Sequence, residues 1–205
     1  MDATVATNAP RRRLHADDRR AAILSSARAH FEAAPYPEIS VADVARSAGV
    51  SAALVHHYFG SKADLYAAAT AHGIQQFEEH QRAADAALPP GVPARDRVRT
   101  MLEVYLDTIA ANPRAWATPL LGGEEPRQAM DLRRESRARY AAALRELLRP
   151  DGASRREELS LAGYLGFVDE VCLAWASDDC PTEDRWSIIE ACLGALEGAL
   201  GDWGR

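Results

Sequence analysis

Along most of this chain the apolar residues recur every three or four positions, and clusters of Gly, Pro and Asn interrupt the pattern. That period belongs to amphipathic helices rather than strands. Over residues 17–33, Ile23, Ala27 and Phe31 repeat at i, i+4 and i+8 with Arg19, Arg20 and Arg28 on the polar side, and Pro35 and Pro37 forbid continuation. Two short segments follow, Val41 to Ser47 and Ser51 to about Tyr58. Ser40 with Asp43 reads as a capping box for the first, and Ser51 caps the second. Gly49 takes the sharp turn between them, where a left-handed residue without Cβ costs least, and Val50 pins the turn to the core. Val44, Ala45, Val55 and Phe59 face inward. A second capping box, Ser61 with Asp64, opens a long helix to about Ala87, frayed near Gly73 and stopped by the Pro-rich Leu88 to Pro93.

Further on, Val98, Met101, Leu102, Tyr105, Leu106 and Ile109 share one face of a helix over 94–111. Asn112-Pro113 breaks it, a short helical piece carries Trp116 and Leu120, and Gly122-Gly123 follows. A helix over about 125–149 places Met130, Tyr140, Leu144 and Leu147 inside, and Pro150-Asp151-Gly152 turns the chain. Ser154 and Glu157 box the start of a helix over about 155–177, and the last helix runs from after Thr182 to about Trp203. Leu161, Leu165, Val168, Cys172 and Trp175 in one of these, and Trp186, Ile189, Leu193, Leu196, Leu200 and Trp203 in the other, alternate spacings of three and four. Such seams suit left-handed bundle packing. Gly194, Gly198 and Gly201 lie along one side of the last helix, each costing about 0.5–1 kcal/mol in a helix interior, which a close helix–helix approach would offset. The pattern predicts an all-α chain of about nine helices, with a head over 15–66 and a larger domain over 67–205.

Composition narrows the reading. At 205 residues and 47% hydrophobic the chain can bury a sizeable core. No uninterrupted apolar run reaches the length of a membrane span, and the N-terminus lacks a signal-peptide apolar region, so a cytoplasmic protein is expected. Cys172, Cys180 and Cys192 are odd in number and lack a C-x-x-C spacing, so neither a zinc site nor a disulfide framework is expected. The net charge of −6 is unevenly placed: residues 1–66 hold 8 Lys/Arg against 7 Asp/Glu, and residues 67–205 hold 16 against 23. The acidity therefore belongs to the C-terminal part and does not exclude nucleic acid as a partner of the head. A head at +1 binds weakly alone, which favours two copies. Arg11-Arg12-Arg13, within an arm over residues 1–14, reads either as a phosphate or minor-groove contact or as a solvated charge run. No nucleophile elbow, H-E-x-x-H, Walker loop or G-x-G-x-x-G is present, so no enzyme, metal or cofactor is expected.

Two short helices around a Gly-containing turn have the layout of a DNA-reading helix-turn-helix. Val41-Ala42-Asp43-Val44-Ala45, Ala48-Gly49-Val50-Ser51 and His57-Tyr58-Phe59-Gly60-Ser61-Lys62-Ala63-Asp64-Leu65 together resemble the DNA-binding domain of TetR-type transcriptional regulators over about residues 17–68. The resemblance implies that Ser51, Ala52, Ala53, Leu54 and His56 lie toward the major groove, and that Ser40, His57, Tyr58 and Lys62 grip the backbone. Ala52 and Ala53 offer only apolar contact, Leu54 either that or a core contact, and His56 is the best candidate for a base-edge hydrogen bond. With so thin a direct readout, DNA shape carries more of the specificity.

The resemblance further implies a four-helix dimer interface from the last two helices, here involving Leu165, Cys172, Ile189, Leu193, Gly194, Leu196 and Gly198; an intramolecular bundle is the competing reading. It also implies a ligand cavity in the C-terminal domain. Met101, Tyr105, Trp116, Leu120, Met130, Tyr140 and Phe167 are its candidate walls, with Glu170 or Asp169 selecting a cationic group. The expected function is a homodimeric DNA-binding regulator, a repressor released from operator DNA by a small apolar or cationic ligand. The rivals are an all-α enzyme or carrier with a structural helix-turn-helix, and a ligand-independent DNA binder.

Overall fold

The computed structural model describes residues 16–149 and 151–201, and among them the regular elements are helices. Nine α-helices occur in the described residues: α1 (Ala16–Ala33), α2 (Val41–Ser47), α3 (Ala52–Phe59), α4 (Lys62–Ala86), α5 (Ala94–Ala111), α6 (Pro113–Leu120), α7 (Arg127–Leu148), α8 (Arg155–Ser177) and α9 (Arg185–Leu200). Single 3-10 turns occur at Tyr36–Glu38, after the expected end of the first helix, and at Thr182–Asp184, where the last helix was expected to begin. The expected arm over 1–14, Pro150 and Trp203 lie outside the described residues.

Two hydrophobic clusters divide the chain. The head core joins Ile23 and Ala27 of α1, Val44 and Ala45 of α2, Val55 and Phe59 of α3, and Leu65 of α4. The larger core joins Val98, Leu102, Leu106 and Ile109 of α5 and Leu144 and Leu148 of α7 with the inner stripes of α8 and α9. Helix α4 spans both, starting in the head and packing further along against α5 and α7. Its start is fixed by a full capping box, Ser61 accepting from the Asp64 N–H and Asp64 from the Ser61 N–H. It continues unbroken through Gly73, where fraying was expected. Ser154 and Glu157 cap α8 in the same reciprocal way.

The heptad seams of α8 and α9 meet each other inside one chain. Leu165, Cys172, Ile189, Leu193 and Leu196 are all buried in the C-terminal core, which corrects their expected place at a dimer interface. Of that expected set, Gly194 and Gly198 face outward, and a Cβ added at either would meet open space. Trp186, expected in the same seam, is 65% exposed. Alone among the described helices, α8 is long and apolar enough to cross a membrane by length and composition. Asp169 and Glu170 interrupt its apolar character, and its inner stripe is core.

Candidate nucleic-acid interface

The turn between α2 and α3 is closed by backbone hydrogen bonds. Gly49 N donates to Arg46 O at 3.2 Å and Val50 N to Ala45 O at 3.0 Å, a pair that satisfies the last carbonyls of α2. The arrangement needs a left-handed residue at position 49, and Gly49 has φ +68°. Val50 packs on the head core and anchors the turn. Ser40 accepts from the Asp43 N–H at 3.1 Å and donates to the Asp43 carboxylate at 2.5 Å. The box expected there is thus half formed. The Ser40 hydroxyl, followed by Arg46, holds the Asp43 carboxyl below its usual range. Ser51 accepts from the Leu54 N–H at 3.2 Å and caps α3.

Capping leaves α3 with an exposed face of small and polar residues. Ser51, Ala53, His56 and His57 are exposed, Ala52, Leu54 and Tyr58 are half-buried, and Val55 and Phe59 are core. Ala52 and Tyr58 also pack against the head core. His57 sets its ring edge-on to Tyr58, centroids 5.6 Å apart. His56 Nδ1 lies 2.8 Å from Gly60 O. The Lys62 ammonium donates to Pro37 O at 3.2 Å and sits 4.3 Å from the centre of the Tyr36 ring. Lys62 therefore has a local role that the sequence did not suggest, and an ammonium retains further donors beyond that bond.

Beneath Lys62, Tyr36 packs on Tyr66 and Phe31, with centroids 5.0 Å from Tyr36 to Tyr66 and 4.8 Å from Phe31 to Tyr66. The Tyr66 hydroxyl donates to Glu125, in the segment joining α6 to α7, and Arg133 of α7 pairs with the same carboxylate at 3.0 Å. The Glu125 side chain is only 4% exposed. Burial, and then the hydrogen bond to Glu125, push the Tyr66 phenol up to about 12. Asn112 Nδ2 donates to Glu32 O at 3.1 Å, a second tie between head and C-terminal domain. Neither connection was anticipated: Tyr66 and Glu125 stand 59 residues apart, and only the folded chain joins them.

The expected ligand walls separate into two groups. Tyr105, Trp116 and Tyr140 pack against the C-terminal core, and Met101 is half-buried. Leu120, Met130 and Phe167 are 43%, 49% and 40% exposed, and Glu170 is exposed, so their expected inward orientation is corrected. In their place the structure brings Asp169 inward. Its carboxylate accepts from Tyr105 Oη at 3.2 Å and pairs with Arg137, while Trp116 Nε1 donates to Tyr105 Oη at 3.1 Å. Phe77 of α4 lies against Tyr105, centroids 5.7 Å apart. Burial and then Asp169 push the Tyr105 phenol well up. The Tyr164 hydroxyl is buried without a hydrogen-bond partner. Cys172 and Cys192 are free thiols whose burial pushes both pKa values up, Cys192 to about 11, which makes them poor nucleophiles. A recess of about 610 Å3 opens between α1 and α4, lined by Arg20, Leu24, Arg28, His72 and Gln76 among others; none of the expected ligand walls borders it.

An all-α chain whose N-terminal helices form a Gly-closed helix-turn-helix, set on a separate helical bundle, defines a helix-turn-helix DNA-binding protein by architecture. Residues 23–69 match the family described as bacterial regulatory proteins, tetR family. The chain is 32% identical over 127 residues to the HTH-type transcriptional regulator BetI of Agrobacterium fabrum, a match covering 58% of this chain and 60% of that relative. It is 29% identical over 173 residues to BetI of Rhizobium meliloti, covering 80% and 82%. Its fold is similar to a tetR-family transcriptional regulator from Streptomyces coelicolor, with a TM-score of 0.75, 19% identity and coverage of 92% and 91%. Residues 23–69 thus match the tetR-family DNA-binding domain, and the chain is similar to helix-turn-helix transcriptional regulators over a match that spans about 60% of the first of these relatives.

Proposed function

We propose that the protein is a cytoplasmic homodimeric repressor that binds operator DNA through two heads and is released by a small molecule held in the C-terminal domain. The observation that carries the DNA-binding part is the capped α3, with an exposed face of Ser51, Ala53, His56 and His57 and a core face of Val55 and Phe59. Dimerisation is supported by the outer faces of α8 and α9. On α8 these carry Leu159 and Phe167, both exposed, beside Gly163 and Gly166; on α9 they carry Gly194 and Gly198. Exposed apolar groups beside Gly163, Gly194 and Gly198, each with open space above it, suit a second copy of the same surface.

A ligand contacting Tyr105, Trp116 or Tyr140 would meet aromatic faces, and a cationic group on it would compete with Arg137 for Asp169. Such a ligand acts by favouring one spacing of the two heads over another. Heads that no longer match successive major grooves, about 34–36 Å apart, leave the operator.

The test is selection of genomic fragments by the purified full chain, followed by titration of the best fragment at several salt concentrations. Specific binding with an affinity that falls linearly in log salt supports the reading. Binding no tighter than to random duplex would return the chain to the enzyme or carrier class. A thermal-shift screen with Trp116 fluorescence then separates a ligand-responsive regulator from a constitutive DNA binder, because a specific ligand raises stability by mass action.

A further inference from the structure

His56 carries information that the other exposed residues of α3 lack. Ala53 has no polar side-chain atom, the Ser51 oxygen accepts the capping bond from the Leu54 N–H, and the His57 ring rests edge-on against Tyr58. His56 and Gly60 are joined twice, once through the backbone and once through the ring. Gly60 N donates to His56 O at 2.8 Å, and His56 Nδ1 lies 2.8 Å from Gly60 O. A carbonyl oxygen only accepts, so Nδ1 carries the hydrogen, and the lone pair of the neutral ring sits on Nε2. Gly60 can turn its carbonyl back to the ring because it stands at φ +80°, where a side chain would be strained and its Cβ would press on Asp64 Oδ2 at 3.2 Å. Among the described residues Nε2 has no hydrogen-bond partner, and His56 is exposed.

We infer that His56 is a specificity-determining residue that presents a hydrogen-bond acceptor to the major groove and selects an exocyclic amino group, adenine N6 or cytosine N4, on one strand of each half-site. The inference rests on the proposed role of α3 as the groove-reading helix. The two keto bases offer acceptors at the corresponding edge, guanine O6 and thymine O4, which would oppose the Nε2 lone pair. Reversing the base pair therefore exchanges attraction for repulsion without changing composition. The residues beside it sharpen the contrast, because Ala52 and Ala53 offer methyl groups that suit thymine C5-methyls but no hydrogen bond.

The experiment is selection from a randomised duplex pool by the full chain, with His56→Ala, His56→Gln and His57→Ala in parallel and thermal melting of each. Wild type should enrich A or C at one position per half-site, on the order of tenfold over the reversed pair, the discrimination of one good base contact. His56→Ala should flatten that position alone. His56→Gln should narrow it to adenine, because a carboxamide pairs with adenine N6 and N7 together. His57→Ala should leave the profile intact. An unchanged profile in His56→Ala with a lowered melting temperature would make the ring a helix cap only and overturn the inference, as would guanine or thymine at the His56-dependent position. Wild type that enriches no sequence at all overturns the DNA-binding reading itself, an outcome distinct from a sequence-specific profile indifferent to His56.

Discussion

Replacing Tyr66 by Phe removes one hydroxyl and leaves the ring packed on Phe31 and Tyr36. The loss is the hydrogen bond from that hydroxyl to the buried Glu125 carboxylate, which keeps Arg133 as its other partner. Hydrogen bonds to a charged group contribute about 1.5–3 kcal/mol, and Tyr66 is 8% exposed, so water cannot readily take the hydroxyl's place. At about 2–4 °C per kcal/mol for a chain of this size, Tyr66→Phe should lower the melting temperature by about 3–12 °C. Because the bond ties the start of α4 to the α6–α7 connection, hydrogen exchange should accelerate in the segment around Glu125 before the C-terminal core loosens. The assay is a double-mutant cycle with Glu125→Gln. A coupling of about 1 kcal/mol or more is expected, and additivity within about 0.5 kcal/mol would show that the two groups do not act on each other. Alkaline pH gives an independent reading. The folded phenol is raised to about 12, above its ordinary unfolded value, so its contribution is complete below about pH 10 and disappears as pH rises through 12. The gap between wild type and Tyr66→Phe should close over that window, and a gap that persists there would refute the assignment.

Four further outcomes follow from the same geometry. Gly194→Leu combined with Gly198→Leu should leave the protomer's melting nearly unchanged, since both positions open to empty space, while shifting sedimentation from dimer to monomer; an intact dimer would move the interface elsewhere. Lys62→Ala should weaken binding to all duplexes about equally and lower the salt slope by about one per bound head, and also cost some head stability through Pro37 and Tyr36; a changed base preference would make Lys62 a base reader. The Glu157 carboxyl is depressed to about 2, first by Arg149 and then by Ser154, so its contribution is present above about pH 4.5 and lost as pH falls toward 2; urea midpoints of Glu157→Gln and wild type should therefore converge in acid. Gly123→Ala should destabilise the α6–α7 connection by roughly 1–3 kcal/mol, because a Cβ there would lie 2.5 Å from Thr118 Cγ2 and 2.8 Å from Thr118 O; an unchanged urea midpoint would show that this segment yields easily.

Local chemistry explains which parts of the molecule were legible from the sequence. Caps, turns and helical period are properties of neighbouring residues, so α2, the Gly49 turn and both capping boxes at Ser61 and Ser154 could be read directly. Period alone also gave the seams of α8 and α9, since Leu165, Cys172, Leu193 and Leu196 do form apolar stripes. It does not say what covers a stripe. A seam with a three-four alternation satisfies a partner in the same chain as well as one in a second copy, and here α8 and α9 satisfy each other. The faces left over are those whose composition looked least like a seam: Leu159, Gly163, Gly166 and Phe167 on α8, and Gly194 and Gly198 on α9.

The same reasoning applies to the acidic pair on α8. Asp169 and Glu170 are adjacent, so a helix must turn them about 100° apart, and sequence offers no preference between them. Tertiary placement makes the choice: Tyr105 from α5 and Arg137 from α7 converge on Asp169, while Glu170 falls on the outer face with Gly166 and Phe167. A carboxylate on that outer face has a consequence for assembly. If two copies pair there, Glu170 comes close to an apolar surface and must find a cation or remain at the rim, because an unpaired charge in a dry interface is costly. The exposed glycines allow close approach along one part of the face, and Glu170 limits how far that dry contact can extend.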